Sequence, residues 1–343
     1  MKILVIGGTG FIGSFVVREL ERLGHEVAVF HRKVPAEASA EHARHIVGDR
    51  RRLAESRRDV RDFAPTVVAD LILSSGTQAR ELMQVCHSIG ARRVVALSSM
   101  DVYRACGVTH QLEEGPLEPL PLTESSALRT KLQTYPPAQV AMLQTVFEWV
   151  DQEYDKIPVE REILSHPELP GTVLRLPMVY GPGDKLHRFY PLIKRIDDGR
   201  RTILFSEEMA RWRATKGYVE NVADAVATAA TNERAAGRIF NVGEPDAITE
   251  IDWARMVALQ TGWNGDLIAL SRDRVPSHLA APGNAEQHWV ADTTRLRHEL
   301  GYRERVSREE AVRRTVEWER SNPPRGFTPH QFDYAAEDKA IAG

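Results

Sequence analysis

Only two cysteines, Cys86 and Cys106, occur in 343 residues, and their spacing matches no metal-ligand pattern. They read as buried or incidental thiols. The 12 histidines are scattered, with no H-x3-H or C-x2-C cluster, so no metal is expected. No apolar run reaches 18 residues, and no charged segment with an apolar core precedes the first strand, so no membrane partner is expected. Neither charge sign dominates: 45 Lys+Arg against 48 Asp+Glu leave a net −3, which gives a nucleic-acid partner no support. The locally basic "RRLAESRRDVR" reads as a solvated helix face. There is no G-x-S-x-G elbow, no G-x4-G-K-[ST] loop and no internal repeat. What remains is a chain 42% hydrophobic and 27% charged, long enough for one large α/β domain or two lobes.

The first 33 residues carry the densest signal. Lys2 to Ile6 is an apolar strand. A glycine turn follows, then a helix with apolar residues at Ile12, Val16, Leu20 and Leu23. Gly24 stops the helix, and Glu26 to Phe30 form a second strand. Gly7, Gly8, Gly10 and Gly13 satisfy both G-x-G-x-x-G and G-x-x-G-x-x-G. Such glycines permit a tight turn, backbone approach to a pyrophosphate and close packing of helix on strand. The helix N-terminus offers free N–H groups and a positive dipole end to phosphate. Strand, turn, helix and second strand together form the context that a dinucleotide-binding unit requires. The second strand ends in His31, Arg32 and Lys33, where an acidic residue would hold the 2′-OH of NAD. Cations there suit a 2′-phosphate, so NADP(H) is favoured over NAD(H); a solvated basic turn is the alternative. Asp49, after a third strand, could contact the adenine.

In their order along the chain, further segments resemble the extended short-chain dehydrogenase/reductase superfamily of the NAD-dependent epimerase/dehydratase type. They are "GGTGFIG" at 7–13, "GDR" at 48–50, "VVADLIL" at 67–73, "VVALSSMDVY" at 94–103, "LRLPMVYGPGD" at 174–184, "GYVENVADA" at 217–225 and "IFNVGEP" at 239–245. The resemblance implies an α/β fold of Rossmann type: a doubly wound, mostly parallel seven-stranded sheet with a smaller, interleaved C-terminal substrate lobe. Residues 1–176 plus 217–243 are expected to form the nucleotide-binding part, with 104–155 as a long insertion or lid. Residues 177–216 plus 244–320 are expected to form the substrate lobe, and 321–343 an extended or partly disordered tail. Cofactor contacts are expected from Gly7, Thr9, Gly10, Phe11, Ile12 and Gly13, then from His31, Arg32, Lys33, Asp49 and Arg50. Leu71, Ile72, Leu73, Ser98, Lys156, Pro177, Met178 and Val179 complete the set. A homodimer through helices flanking the sheet is also implied.

In that family a tyrosine transfers the proton, a lysine four residues later binds the ribose and lowers the tyrosine pKa, and a strand-end Ser/Thr holds the reacting oxygen. Ser99 falls at the last of these positions. Lys156, followed by Glu160, falls at the lysine. Four residues before Lys156 stands Gln152, which cannot titrate. Tyr154 is only two residues away, on the opposite face of a regular helix, although Pro158 could distort that helix. Tyr154 therefore reads more as a decoy than as the acid/base, and Asp101 becomes the first candidate replacement. Tyr103, Tyr180, His187, Arg188, Arg211 and Arg213 are candidate substrate contacts, each open to a packing or surface reading. The leading expectation is a cytoplasmic enzyme that moves a hydride on a polar, nucleotide-sugar or carbohydrate-like small molecule with a non-standard acid/base. The alternatives are an NADP(H)-binding sensor resembling the NmrA-like group, or a relative of the chloroplast stem-loop RNA-binding proteins.

Overall fold

The computed structural model describes residues 1–33, 42–133, 135–326 and 329–342. Eleven strands are described: β1 (Lys2–Ile6), β2 (Glu26–His31), β3 (Arg44–Val47), β4 (Val67–Asp70), β5 (Arg93–Ser99), β6 (Gly171–Leu176), β7 (Met178–Tyr180), β8 (Thr202–Ser206), β9 (Lys216–Tyr218), β10 (Ile239–Asn241) and β11 (Asp266–Leu270). Seven of them form one sheet in the order β10-β6-β5-β4-β1-β2-β3, and every pairing is parallel. The pairs β7–β9 and β8–β11 stand outside it.

The sheet is buried on both faces, which explains why its strands read as continuous apolar runs. Side chains alternate between faces. Ile3 and Val5 join one core with Val16, Val17 and Leu20 of the helix Phe11–Arg22 and with Val222 and Val226 of the helix Val219–Thr231. Leu4 and Ile6 join the other with Leu82 and Met83 of the helix Gly76–Ser88 and with Val159 and Ile163 of the helix Lys156–Ser165. Strand order reverses direction at β1, which has β2 on one side and β4 on the other. That leaves a crevice beyond the carboxyl ends of the strands.

The tail differs from its expectation. Its last described residues form a helix, Tyr334–Ala342, fixed by the fully buried Glu337. Glu337 Oε1 accepts from Arg195 at 2.6 Å and lies 3.1 Å from His278 Nε2. A buried carboxylate with two basic partners is held far more firmly than the Pro/Gly composition around it implies. Among the described residues, no helix is long and apolar enough to cross a membrane.

Candidate active site

An open cleft of about 620 Å³ runs along the carboxyl ends of the strands. Its floor is the turn from Gly7 to Gly13. A Cβ on Gly13 would sit 2.1 Å from the Gly7 carbonyl oxygen. One on Gly7, which has φ +85°, would sit 2.7 Å from Ile72 Cγ2. The turn therefore presents bare backbone, as close approach to a pyrophosphate requires. Gly10 stands at the N-cap of the first helix and offers no side chain to its leading N–H groups. The chain's own residues thus fit a dinucleotide.

Thr9, Gly10, Phe11, Ile12, Leu71, Ile72, Pro177, Met178 and Val179 all line this cleft, as do His31, Arg32, Asp49 and Arg50. Arg32 pairs with Glu148 from the long insertion, and Asp49 holds Arg51 at 3.0 Å. Burial lowers the pKa of His31, whose Nε2 lies 3.0 Å from His45 Nδ1. Arg50 is turned inward, with Nε donating to Asp70 Oδ2 at 2.6 Å.

Some expected cofactor contacts fall elsewhere. Lys33 is exposed and outside the cleft lining, and Leu73 is core, its carbonyl accepting from Lys156 Nζ. Ser98 borders the cleft, but its hydroxyl donates to Glu160 Oε1 at 2.6 Å on the other side of the strand.

The catalytic candidates converge at the ends of β5 and β6. Ser99 Oγ accepts the Asp101 N–H at 3.1 Å and so caps the 3-10 turn Met100–Val102. Asp101 is buried. Its Oδ2 accepts from the Tyr135 hydroxyl at 3.1 Å, while Oδ1 has no partner among the described residues. Burial pushes its carboxyl above the ordinary value, against the opposing charges of Arg129 and Lys156. Burial likewise brings Lys156 down to about 8. Its Nζ donates to the carbonyls of Leu73 and Leu97 and lies 5.8 Å from the Tyr154 ring centre.

The helix bearing Lys156 starts at that residue. Asp155 caps it by accepting the Ile157 N–H at 2.8 Å, and Pro158 sits in the first turn, where no intrahelical donor is lost. Tyr154 therefore precedes the helix, and the two-residue face argument does not govern it. Its ring lines the cleft, 5.6 Å from Tyr135. Burial, then the charge of Asp101, raises its phenol pKa well above the ordinary value. Gln152 is exposed, and its side chain donates to Gln144.

Five expected substrate contacts do not line the cleft. Tyr103 is fully buried, its hydroxyl donating to Asn241 Oδ1 at 2.6 Å and accepting from Arg175 at 3.0 Å. Tyr180 is buried too and donates to Glu244. His187 pairs with Glu319 at 2.6 Å and stacks on Trp318. Arg211 and Arg213 are exposed, Arg211 beside Glu207. Arg188 does line the cleft, tied to Asp184 at 2.7 Å, with Lys185, Thr215 and Trp289 nearby in the wall.

Tyr135, Gln139, Leu143, Phe147 and Trp149 of the insertion form a wall that sequence reasoning did not assign residue by residue. The signal available was Tyr135-Pro136-Pro137, a phenol placed just before the helix Pro137–Val146. The insertion's end is stitched to the loop after β4: Ser75 Oγ donates to Asp151 Oδ2 at 2.5 Å, and the Asp151 N–H donates to Ser74 Oγ at 3.1 Å.

A parallel sheet with a glycine turn at its switch point, a basic β2 end, and a buried Asp101 and Lys156 lining the same cleft defines a dinucleotide-binding α/β protein of Rossmann type. The chain belongs to the NAD dependent epimerase/dehydratase family, which it matches over residues 3–243. It is 23% identical over 319 residues to "Chloroplast stem-loop binding protein of 41 kDa b, chloroplastic" of Arabidopsis thaliana, covering 88% of this chain and 75% of that one. It is 26% identical over 152 residues to the dTDP-glucose 4,6-dehydratase of Streptomyces niveus, covering 44% of this chain and 42% of that one. Among solved structures, MoeE5 in complex with UDP-glucuronic acid and NAD is similar in fold at TM-score 0.65 and 21% identity, covering 94% of this chain and 99% of that one.

Proposed function

We propose that the protein is a dinucleotide-dependent enzyme of the epimerase/dehydratase/reductase type acting on a nucleotide-linked or similar sugar. The observation that carries this reading is the buried Asp101, one carboxylate oxygen of which has no partner among the described residues, in the same cleft as Lys156 and the glycine turn. A bound nicotinamide supplies a hydride acceptor or donor. The backbone of Gly10, Phe11, Ile12 and Gly13 holds its pyrophosphate. Lys156, pinned by two carbonyls, presents positive charge beside Asp101 and holds the ribose. Ser99 orients the reacting oxygen, and Asp101 moves its proton. The part built from 1–176 plus 217–243 carries the cofactor, and 177–216 plus 244–320 carry the sugar, with Arg188 and Lys185 near its charged group.

NADP(H) is the preferred cofactor in this reading, because Arg32 and Arg51 border the β2 end of the cleft and their carboxylate partners, Glu148 and Asp49, can be exchanged for a 2′-phosphate. Arg32→Asp is expected to lower the affinity ratio of NADPH to NADH about tenfold or more, measured by fluorescence titration. An unchanged ratio refutes the preference. Incubation with either dinucleotide and a panel of UDP- and dTDP-hexoses, with products separated by chromatography, tests the enzyme assignment. Conversion of at least one is expected, and none converted rejects it.

A second reading, dinucleotide binding without turnover, draws on the exposed Gln152 at the usual tyrosine spacing and on the likeness, over 88% of this chain, to a stem-loop binding protein. Tight NADPH binding with no conversion favours it. A net charge of −3 weighs against RNA as the ligand.

A further inference from the structure

The helix that starts at Lys156 carries no tyrosine, yet a phenol reaches the same corner of the cleft from another direction. Tyr135 stands just before the helix Pro137–Val146 of the insertion. Its hydroxyl donates to Asp101 Oδ2 at 3.1 Å, and its ring lines the cleft. The insertion is held there by Ser74 and Ser75 of the loop after β4. Asp101 is itself fixed by Ser99, whose Oγ accepts its N–H.

We propose that Tyr135, delivered by the 104–155 insertion, is the proton-carrying phenol of this site and works as a pair with Asp101. This rests on the function proposed above and adds a residue to it. In the direction that oxidises a sugar hydroxyl, the C–H bond gives its hydride to the oxidised nicotinamide that the proposed function requires, the O–H bond breaks, and its proton goes to Tyr135 Oη. The proton already on Tyr135 crosses to the ionised Oδ2 of Asp101. Tyr135 ends as it began, Asp101 ends protonated, and the reverse reaction returns the proton by the same path.

The electrostatics agree with such a carrier. The charge of Asp101, then burial, raises the Tyr135 phenol well above its ordinary pKa, so it is a full donor at neutral pH rather than a resting phenolate. Burial raises Asp101 toward a useful basicity. The other titratable groups acting on Asp101 are Arg129 and Lys156, which favour its charge, and Asp155, which opposes it. Cys106 and Tyr154 are also within its field. Of the two phenols, Tyr135 donates a hydrogen bond to Asp101, and Tyr154 is placed by its ring contact with Tyr135.

The pairing can be read without turnover. A protonated buried carboxyl gives an infrared C=O band, assigned to Asp101 by its loss in Asp101→Asn. Removing a donor from the ionised carboxylate raises the pKa, so Tyr135→Phe is expected to move the band's disappearance to higher pH. In steady-state assays on a sugar nucleotide that the wild type converts, Tyr135→Phe is expected to lower kcat about 10²–10⁴-fold, with KM and dinucleotide affinity held within about threefold. The unchanged dinucleotide affinity also reports that the variant is folded. An unmoved carboxyl titration overturns the proposal. So does a kcat within threefold of wild type, or a loss found in Tyr154→Phe instead. If the wild type converts no sugar nucleotide, the proposed function fails and this role fails with it, even where the infrared titration shows the pair. If the wild type is active and Tyr135→Phe equally so, only the role of Tyr135 falls.

Discussion

Asp101→Asn is expected to lower kcat about 10²–10⁴-fold, the usual loss when a general acid/base is removed, if Asp101 has the role proposed for it. KM for the dinucleotide stays near wild type, since the glycine turn and Lys156 are untouched. The same variant makes the fold more stable at neutral pH, and the sign follows from linkage. Burial raises the Asp101 pKa in the folded state, so folding favours the protonated form. The stability that this contributes is complete below the unfolded pKa and is lost as pH rises through the folded one. Asparagine never ionises and does not suffer that loss. The Tm advantage of Asp101→Asn is therefore absent at acid pH and grows as pH rises above the ordinary aspartate range. Thermal melts across pH, set beside kcat, check both halves. A variant that is fully active, or whose Tm falls at every pH, refutes the role.

The second large effect lies behind the cleft. Arg175 makes a two-pronged pair with Glu160, at 2.9 and 2.7 Å, with the side chains 2% and 4% exposed. Ser98, Tyr103, Asn241 and the Glu124 carbonyl complete the network, tying β5, β6 and β10 to the helix that carries Lys156. Breaking one side of a buried pair leaves an uncompensated charge. Arg175→Met is therefore expected to cost about 3–5 kcal/mol in urea denaturation. Arg175→Met with Glu160→Leu is expected to recover most of that, because an apolar pair of similar volume needs no partner. A single-variant loss under about 1 kcal/mol contradicts a structural role for the pair.

The first β-turn-α-β unit was legible because its signals are local. Glycine spacing, two apolar strands and a period-3.6 helix fall within about 30 residues, and the structure keeps them within a residue or two. The position of Ser99 and Asp101 at the end of β5 was legible as well. Tyr103, just past the turn after β5, and Tyr180, at the end of β7, are turned into buried partners, Asn241 and Glu244, that lie 138 and 64 residues away. No local pattern reveals such partners. The face argument for Tyr154 presumed a helix through it, but Asp155 caps the helix and Tyr154 precedes it. The Tyr135 wall depends on Ser75 meeting Asp151 across 76 residues, a tertiary contact that composition cannot supply.

A single-turnover experiment reads the central assignment most directly. Enzyme saturated with NADP or NAD is mixed with a UDP- or dTDP-hexose, and absorbance at about 340 nm is followed on the millisecond scale. With a sugar nucleotide that the enzyme accepts, wild-type protein is expected to show a transient or lasting rise, as hydride leaves the sugar. Asp101→Asn should bind the same dinucleotide without that rise. Full dinucleotide binding by the wild type, with no change at 340 nm for any sugar nucleotide, contradicts an enzyme of this type.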